Sequence, residues 1–284
     1  MVAIEQEVMV PPGVGRIAAD GGAADGAAAT SVRRVEHVMG TVIGIDIRDA
    51  GALTPNALVV AIDAAFAWLR DVDERFSPFR ATSQISRLAR GEIDASQCST
   101  DVRWILGLCD DLARTTDGYF DARHHRPDGM LDPSGVVKGW AVEEAAWMLE
   151  RSGATSFAIN AGGDVIVRTV DGAEKPWRVG IRDPRAADRV VTVLEIRNGS
   201  VATSGAYERG EHVIDPHTGR PHTGLLSISV VGPSLTDADA YATAALAMGR
   251  QGVRWIAEHD GYGAFGITRD GRAIWTSVVD GLLA

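Results

Sequence analysis

The sequence has 284 residues, of which 45% are hydrophobic and 23% are charged, and its formal net charge is −10. This composition is ordinary for a globular protein of one or two domains with a sizeable buried core. The negative charge argues against a broad surface for nucleic acid or anionic membranes, although a few local cations could still bind a phosphate.

The cysteines and the N-terminal residues bear on the cellular compartment. Cys98 and Cys109 are the two cysteines and lack metal-type spacing, so we expect two reduced thiols rather than a zinc site or a disulfide framework. The N-terminus carries early acidic residues and lacks a positive region followed by an apolar one, and no apolar run is long enough to span a membrane. We therefore expect a cytoplasmic protein without stable membrane insertion.

The first half of the chain is predicted to be mainly helical. Residues 11–30 are rich in Gly, Ala and Asp and have no periodicity, so we predict a disordered segment over 1–34 and a single domain over 35–284. Alternation predicts a strand at 42–47, and helical spacing predicts helices at 57–76, 101–118 and 139–153, the last two ended by glycine.

The second half is dominated by short apolar segments separated by Gly, Pro and Asp. Strands are predicted at 156–160, 177–183, 190–197, 200–204 and 225–232, followed by helices at 237–249 and 253–259 and a closing hairpin around 269–272. Helices early and strands late favour an α+β fold with a mixed or antiparallel sheet and flanking helices over a doubly wound parallel sheet.

The sequence TDADAYATAA (236–245) places an acid and a hydroxyl one helical turn apart. Asp239 and Thr243 share a helix face at i, i+4, where their oxygens could bind a hard cation such as Mg²⁺. The alternative is that Asp239 only interacts favourably with the dipole at the helix N-terminus.

Two glycine-containing motifs could contact a ligand. In LDPSGVVKGWAVEEAAW (131–147), Lys138 near a helix start could meet a phosphate, and Asp132 could bind a sugar hydroxyl or a base edge. In NAGGD (160–164), paired glycines could let the backbone lie against a planar ligand. The alternatives are an ordinary capped turn with a solvated lysine and a tight hairpin turn.

The segment VATSGAYERGEHVIDPHTGRPHTG (201–224) concentrates polar side chains around a turn. A single histidine is usually structural or solvated, but His212 precedes the strand-like VID and lies among polar groups that a core strand would not need.

In their order along the chain, these motifs resemble the ApbE family, the FAD:protein FMN transferases. The matching stretches are HVMGT (37–41), FSPFRATSQISRL (76–88), DGYFDA (117–122), LDPSGVVKGWAV (131–142), NAGGD (160–164), WRVGIRDP (177–184), ATSGAYERGEHVIDPHTGRP (202–221) and VVGPSLTDADAYATAALAMG (230–249). The resemblance covers about residues 35–270.

The resemblance implies an α+β protein that binds FAD with Mg²⁺ (or Mn²⁺). It implies cleavage of the FAD pyrophosphate, attachment of FMN through a phosphoester to a Thr or Ser of an acceptor protein, and release of AMP. It also implies metal contacts and FAD contacts. The metal contacts are Asp239, Thr243, Thr236 and the carbonyl of Gly135; the FAD contacts are Met39, Phe79, Tyr119, Phe120, Asp121, Asp132, Lys138 and His212. Asp239 and His212 are the expected catalytic residues, with His212 helping to deprotonate the acceptor hydroxyl.

The chain departs from the family pattern at several positions. Ala89 replaces the usual Asn, Phe79 stands where many members carry Tyr, and RHHRPDG lies in a short segment between Asp121 and Asp132. The secretion signals common in the family are absent, which favours a cytoplasmic acceptor or the inner face of a membrane partner. Two other functions stay open at this point: an FAD pyrophosphatase that forms FMN and AMP, and a non-catalytic FAD-binding protein.

Overall fold

An antiparallel sheet of nine strands organises the chain in a computed structural model that describes residues 4–9, 31–123, 130–170, 175–205, 214–217, 220–221 and 224–284. The strands are β1 Ile4–Met9, β2 Val32–Val38, β3 Thr41–Asp49, β4 Ser156–Ala161, β5 Asp164–Thr169, β6 Trp177–Asp183, β7 Ala186–Ile196, β8 Gly199–Gly205, β9 Ile214–Asp215, β10 Arg220–Pro221, β11 Leu225–Gly232, β12 Gly263–Thr268 and β13 Arg272–Thr276. The order in the large sheet is β1-β13-β12-β11-β8-β5-β4-β3-β2.

In the described residues, the helices cover one face of this sheet, except the short helix Ser277–Asp280, which packs with the apolar cluster of the other face. They are α1 Pro55–Phe76, α2 Gln84–Ala89, α3 Thr100–Thr115, α4 Ser134–Ser152, α5 Leu235–Met248, α6 Arg250–Ala257 and α7 Ser277–Asp280, with a short 3₁₀ turn at Ala95–Gln97. Strand β3 shows why the layers separate, since alternate side chains Ile43, Ile45 and Ile47 are buried beneath the helices. Helix α4 packs against both α1 and α5, so it lies at the centre of the helical layer.

The second face of the sheet is covered in part by the hairpin β6–β7. Alternating buried residues of β6, including Trp177, Val179 and Ile181, pack on Val167 and Val201 of the central strands and form a second apolar cluster. The sheet is therefore sandwiched between helices and a hairpin, and every strand pair in it is antiparallel. The predicted α+β class with an antiparallel sheet is confirmed.

The boundaries differ from the sequence prediction in several places, most clearly at α4 and at the N-terminus. Helix α4 begins at Ser134, so the segment predicted as a turn before residue 139 is helical. Strand β1 spans Ile4–Met9 and pairs with β13, and β2 begins at Val32, so these residues of the predicted disordered segment 1–34 form strands. The remainder of that segment, 10–30, lies outside the described residues.

Both cysteine thiols are free and buried in the helical layer. Within the described ranges, no helix is long and apolar enough to cross a membrane.

Candidate functional site

A cleft of about 780 Å³ opens where the helical layer meets the turns of the sheet. Its lining comes from the β2–β3 turn, the C-terminal end of α1 with the following loop, the start of α4 and the β4–β5 turn. Four of the predicted FAD contacts line this cleft although they are far apart in sequence: Met39, Phe79, Asp132 and Lys138. The fold thus brings half of that predicted set to one place.

The β2–β3 turn presents Met39 to the cleft through an unusual backbone conformation. Val38 pairs with Thr41, which leaves a two-residue turn, and both Met39 (φ 56°) and Gly40 (φ 71°) have positive φ. Positive φ at both positions is the type I′ geometry that matches strand twist, and it is unusual for a residue other than Gly, Asn or Asp. Met39 is therefore held in place by the hairpin at the edge of the cleft.

Phe79 forms part of the rim of the cleft. It follows the end of α1, its backbone N–H donates to Ser77 Oγ at 3.3 Å, and its residue surface is 85% exposed. An aromatic ring this exposed beside a concave surface is suited to contact with a planar ligand.

Asp132 shapes the start of α4. Its side chain is buried, and Oδ1 accepts a hydrogen bond of 3.0 Å from the Ser134 backbone N–H. The residue therefore fixes the first turn of the helix, which agrees with the alternative prediction of an ordinary capped turn. It also lines the cleft.

Lys138 lies in the second turn of α4 and forms an ion pair across the helix–sheet boundary. Its Nζ lies 2.6 Å from Asp164 Oδ2, and the Asp164 side chain is 2% exposed. The other carboxylate oxygen, Oδ1, accepts from the Thr203 backbone N–H at 3.0 Å. Asp164 thus orients the lysine and offsets its charge in the cleft.

Helices α4 and α5 approach each other closely at a line of small residues. A Cβ on Gly139 would lie 2.4 Å from the Leu235 carbonyl oxygen and 2.8 Å from Asp239 Cβ, so only glycine fits there. The Gly139 N–H donates to Asp239 Oδ2 at 2.9 Å, and Asp239 is buried. This contact holds the carboxylate of α5 against α4.

Gly135 and Thr243 meet one turn further along the same interface. A Cβ on Gly135 would lie 3.2 Å from Thr243 Oγ1 and 3.2 Å from the Phe120 ring, and Thr243 Oγ1 lies 3.5 Å from Ser204 Oγ. The structure therefore brings together Gly135, Asp239 and Thr243, three of the four residues predicted to contact a metal.

The chemistry of this cluster fits a hard divalent cation. A buried carboxylate, a hydroxyl and a backbone carbonyl are oxygen donors, and Mg²⁺ is usually held by one or two carboxylates together with water and substrate phosphates. In the described part of the chain, no group of three or more His, Cys, Asp or Glu side chains forms a self-sufficient metal cage. Phosphate oxygens of a ligand would complete such a coordination shell.

The fourth predicted metal contact, Thr236, has a different neighbour. Its backbone N–H donates to Glu143 Oε2 at 3.0 Å, its hydroxyl donates to the same oxygen, and Ser234 Oγ donates there at 2.9 Å. Glu143 is buried, and it binds the positive end of the α5 dipole. These contacts favour a structural role for Thr236.

The predicted contacts at residues 119–121 lie apart from the lining of the cleft. Phe120 is buried beside Gly135, the Tyr119 ring meets the His217 ring edge-on at 4.8 Å, and Asp121 Oδ1 accepts from the Arg123 N–H at 2.7 Å. His212 lies outside the described residues.

Sequence reasoning missed Glu143, Gly139 and Asp164 as residues that support the site. Gly135, Gly139 and Glu143 recur every four residues, so a helix beginning at Ser134 places them on one face. That signal was present, but the helix was predicted to begin only at 139. Asp164 lies within NAGGD, but its ion-pair partner Lys138 belongs to α4. A contact between two separate elements leaves no local signal in the sequence.

The sequence is similar to that of a known protein family. The ApbE family model matches residues 39–126 and 122–265, and the chain therefore belongs to the ApbE family. Two relatives named FAD:protein FMN transferase are those of Escherichia coli (strain K12), 32% identical over 160 residues, and Salmonella typhimurium, 31% identical over 211 residues. The matches cover 53% and 71% of this chain and 46% and 58% of those proteins, so the chain spans about half the length of the curated relatives it matches.

Solved structures share the fold. The flavin transferase ApbE from Vibrio cholerae has a TM-score of 0.74 at 24% identity, covering 90% of this chain and all of that one. The ApbE protein from Thermotoga maritima has a TM-score of 0.75 at 20% identity, with the same coverage.

Proposed function

We propose that this chain is a Mg²⁺-dependent FAD:protein FMN transferase that moves FMN onto a Thr or Ser hydroxyl of an acceptor protein and releases AMP. The observation that carries the proposal is the cluster of Gly135, Asp239 and Thr243 beside the first turn of α4, the same turn that lines the 780 Å³ cleft. A dinucleotide in the cleft would have its pyrophosphate near oxygen donors suited to a divalent cation.

The chain's own residues supply binding and orientation. Met39 and Phe79 at the rim would contact the flavin end of FAD, and Asp132 would accept from a hydroxyl or a base edge. Lys138, oriented by Asp164, would face a phosphate oxygen. A bound Mg²⁺ would neutralise pyrophosphate charge and polarise phosphorus, and Asp239 and Thr243 would hold it with the Gly135 carbonyl.

His212 is the residue we propose as the general base. A neutral imidazole can take the proton of a hydroxyl as its oxygen attacks phosphorus, and the ordinary histidine pKa suits this role near neutral pH. The proposal for His212 rests on the resemblance of its motif to that of the family.

The test is an incubation of the protein with FAD, Mg²⁺ and acceptor peptides that contain Ser or Thr, with the Asp239→Asn variant as a control. Flavin fluorescence on the acceptor after denaturing electrophoresis, together with AMP release that the variant lacks, is the expected result. FMN and AMP without labelled acceptor would replace the proposal with FAD pyrophosphatase activity. Intact FAD on a yellow protein, with no AMP formed, would leave only a flavin-binding role.

A further inference from the structure

A second concave surface lies on the opposite face of the sheet from the helices. Hairpin β6–β7 covers the central strands there, and a groove of about 310 Å³ lies between the hairpin and strands β2–β4, which line its other side. Its floor contains the small residues Gly44 and Ala158, which let another chain approach the sheet closely. We call this surface the arginine groove, after Arg33, Arg178 and Arg182, which line it.

Side-chain direction places Arg33 in this groove. Arg34 pairs with Asp63 and Glu36 pairs with Arg70, so these residues of β2 face α1. Arg33 alternates with them and points to the other face, where its cross-strand neighbour is Asp46. In the described ranges, Arg33 and Asp46 form no ion pair with each other or with a third residue.

The other two arginines extend from β6 on the opposite wall. Arg178 and Arg182 alternate with the buried residues of that strand and are exposed, and Gly180 between them leaves space. Arg178 lies 3.8 Å from the exposed Glu195, a long and weak pair. Arg182 forms no ion pair within the described segments. Three cations therefore face one lining carboxylate, Asp46, in a protein whose formal net charge is −10.

The groove is connected to the cleft by shared backbone. Gly162 of the β4–β5 turn lines both surfaces. Asp164 joins them as well, because it pairs with Lys138 of the cleft and accepts from the N–H of Thr203, which lines the groove. A chain lying in the groove would therefore end beside the cleft.

From this geometry we infer that the arginine groove binds an acidic segment of the acceptor protein and leads its Thr or Ser towards the cleft. The inference rests on the proposed function for the identity of the partner. The charge of the groove indicates the chemistry of the partner. The net negative charge of the protein repels acidic chains in general, whereas the three arginines of the groove attract them locally. Arginine guanidinium groups also bind carboxylates through two parallel hydrogen bonds, which would fix the position of the acidic segment along the groove.

The test measures binding without FAD, so that it is separate from catalysis. A fluorescein-labelled short peptide of alternating Glu and Ala is titrated with the full chain by fluorescence anisotropy, beside a Lys/Ala peptide of equal length. We expect the Glu/Ala peptide to bind and the Lys/Ala peptide not to bind. The affinity for the Glu/Ala peptide should fall as ionic strength rises. The triple variant Arg33→Gln/Arg178→Gln/Arg182→Gln should bind it roughly ten-fold more weakly, since exposed pairs contribute a few tenths to one kcal/mol each.

A matched control removes the same charge elsewhere. The variant Arg114→Gln/Arg151→Gln/Arg254→Gln changes three exposed arginines on the helices of the opposite face and should bind the peptide with nearly the affinity of the unmodified protein. Equal losses in both variants would overturn the inference, as would no binding of the Glu/Ala peptide to the unmodified protein. Peptide binding to a protein that fails to transfer FMN would sustain the groove and refute the proposed function.

Discussion

Asp239 is the side chain on which the proposed chemistry depends most. Asp239→Asn keeps an oxygen to accept from the Gly139 N–H but loses the negative charge that would hold a cation. We expect the FMN-forming turnover to fall roughly a hundred-fold or more, because metal stabilisation is worth several kcal/mol and about 1.4 kcal/mol changes a rate ten-fold. Steady-state AMP release against Mg²⁺ concentration measures this effect.

The control for that variant lies two residues away. Asp237 accepts a hydrogen bond of 2.8 Å from the Tyr262 hydroxyl, and Asp237→Asn should leave Mg²⁺-dependent turnover nearly unchanged. Similar losses in both variants, or full activity of Asp239→Asn in the presence of a chelator, would remove Asp239 from the metal site.

His212 gives a prediction for pH dependence. His212→Ala should bind FAD normally but transfer FMN roughly 10²–10⁴-fold more slowly, the usual contribution of a general base. Transfer by the unmodified protein should decline as pH drops through about 6–7, because the base must be neutral. Titration with FAD and single-turnover transfer measure the two quantities separately. Joint loss of FAD binding and thermal stability would instead assign His212 a structural role.

Cys109 illustrates how burial controls reactivity. Desolvation raises the pKa of its thiol to about 12, above the ordinary 9.0, so the native protein holds almost no thiolate near neutral pH. We expect iodoacetamide to modify Cys109 only after denaturation, which mass spectrometry of the labelled peptides can detect. Rapid labelling of the native protein would contradict this. The same shift means that this group's stabilising contribution, intact below pH 9, is lost as pH rises towards 12.

The interface of α4 and α5 is the element-scale feature that positions the site. Gly139→Ala would place a methyl group against the Leu235 carbonyl and Asp239 Cβ. Overpacking of this kind costs about 1–3 kcal/mol, and we expect the free energy of unfolding in urea to fall by that amount, with a loss of turnover. Gly107→Ala on α3 is the matched control, because its Cβ would meet nothing within 4 Å and alanine favours helix by about 0.5–1 kcal/mol. A stable and fully active Gly139→Ala protein would show that the close approach is dispensable.

Elements with strong local signals could be predicted from the sequence, whereas their contacts could not. Alternation in VIGIDI and the glycine after α4 mark β3 and a helix end, and both were predicted correctly. The start of α4 was missed because proline and glycine near residues 133–139 indicate a turn, while here Gly139 is glycine for packing against α5. The Asp239–Thr243 pair was found from i, i+4 spacing. Glu143 was not, because its partners lie about ninety residues later in the chain.

At the scale of the whole molecule, the cleft should distinguish FAD from FMN. FMN lacks the adenosine and one phosphate. It would therefore lose contacts near Lys138 and near the oxygen donors of Asp239 and Thr243, while keeping those with Met39 and Phe79 at the rim of the cleft. Because a ligand stabilises the native state according to its affinity, FAD with Mg²⁺ should raise the melting temperature far more than FMN at equal concentration. Thermal scans over a ligand series measure this, with Mg²⁺ alone as the baseline. Equal shifts for the two flavins would place the phosphate site elsewhere.

The β4–β5 turn has a thermodynamic consequence, since Gly162 borders both the cleft and the arginine groove. Any displacement of this turn by one occupant changes the free energy of binding of the other. Reciprocity then requires that FAD alter the affinity of the groove for its ligand by the same factor as that ligand alters the affinity for FAD. The short backbone between the two surfaces would thus couple occupation of the cleft to occupation of the groove.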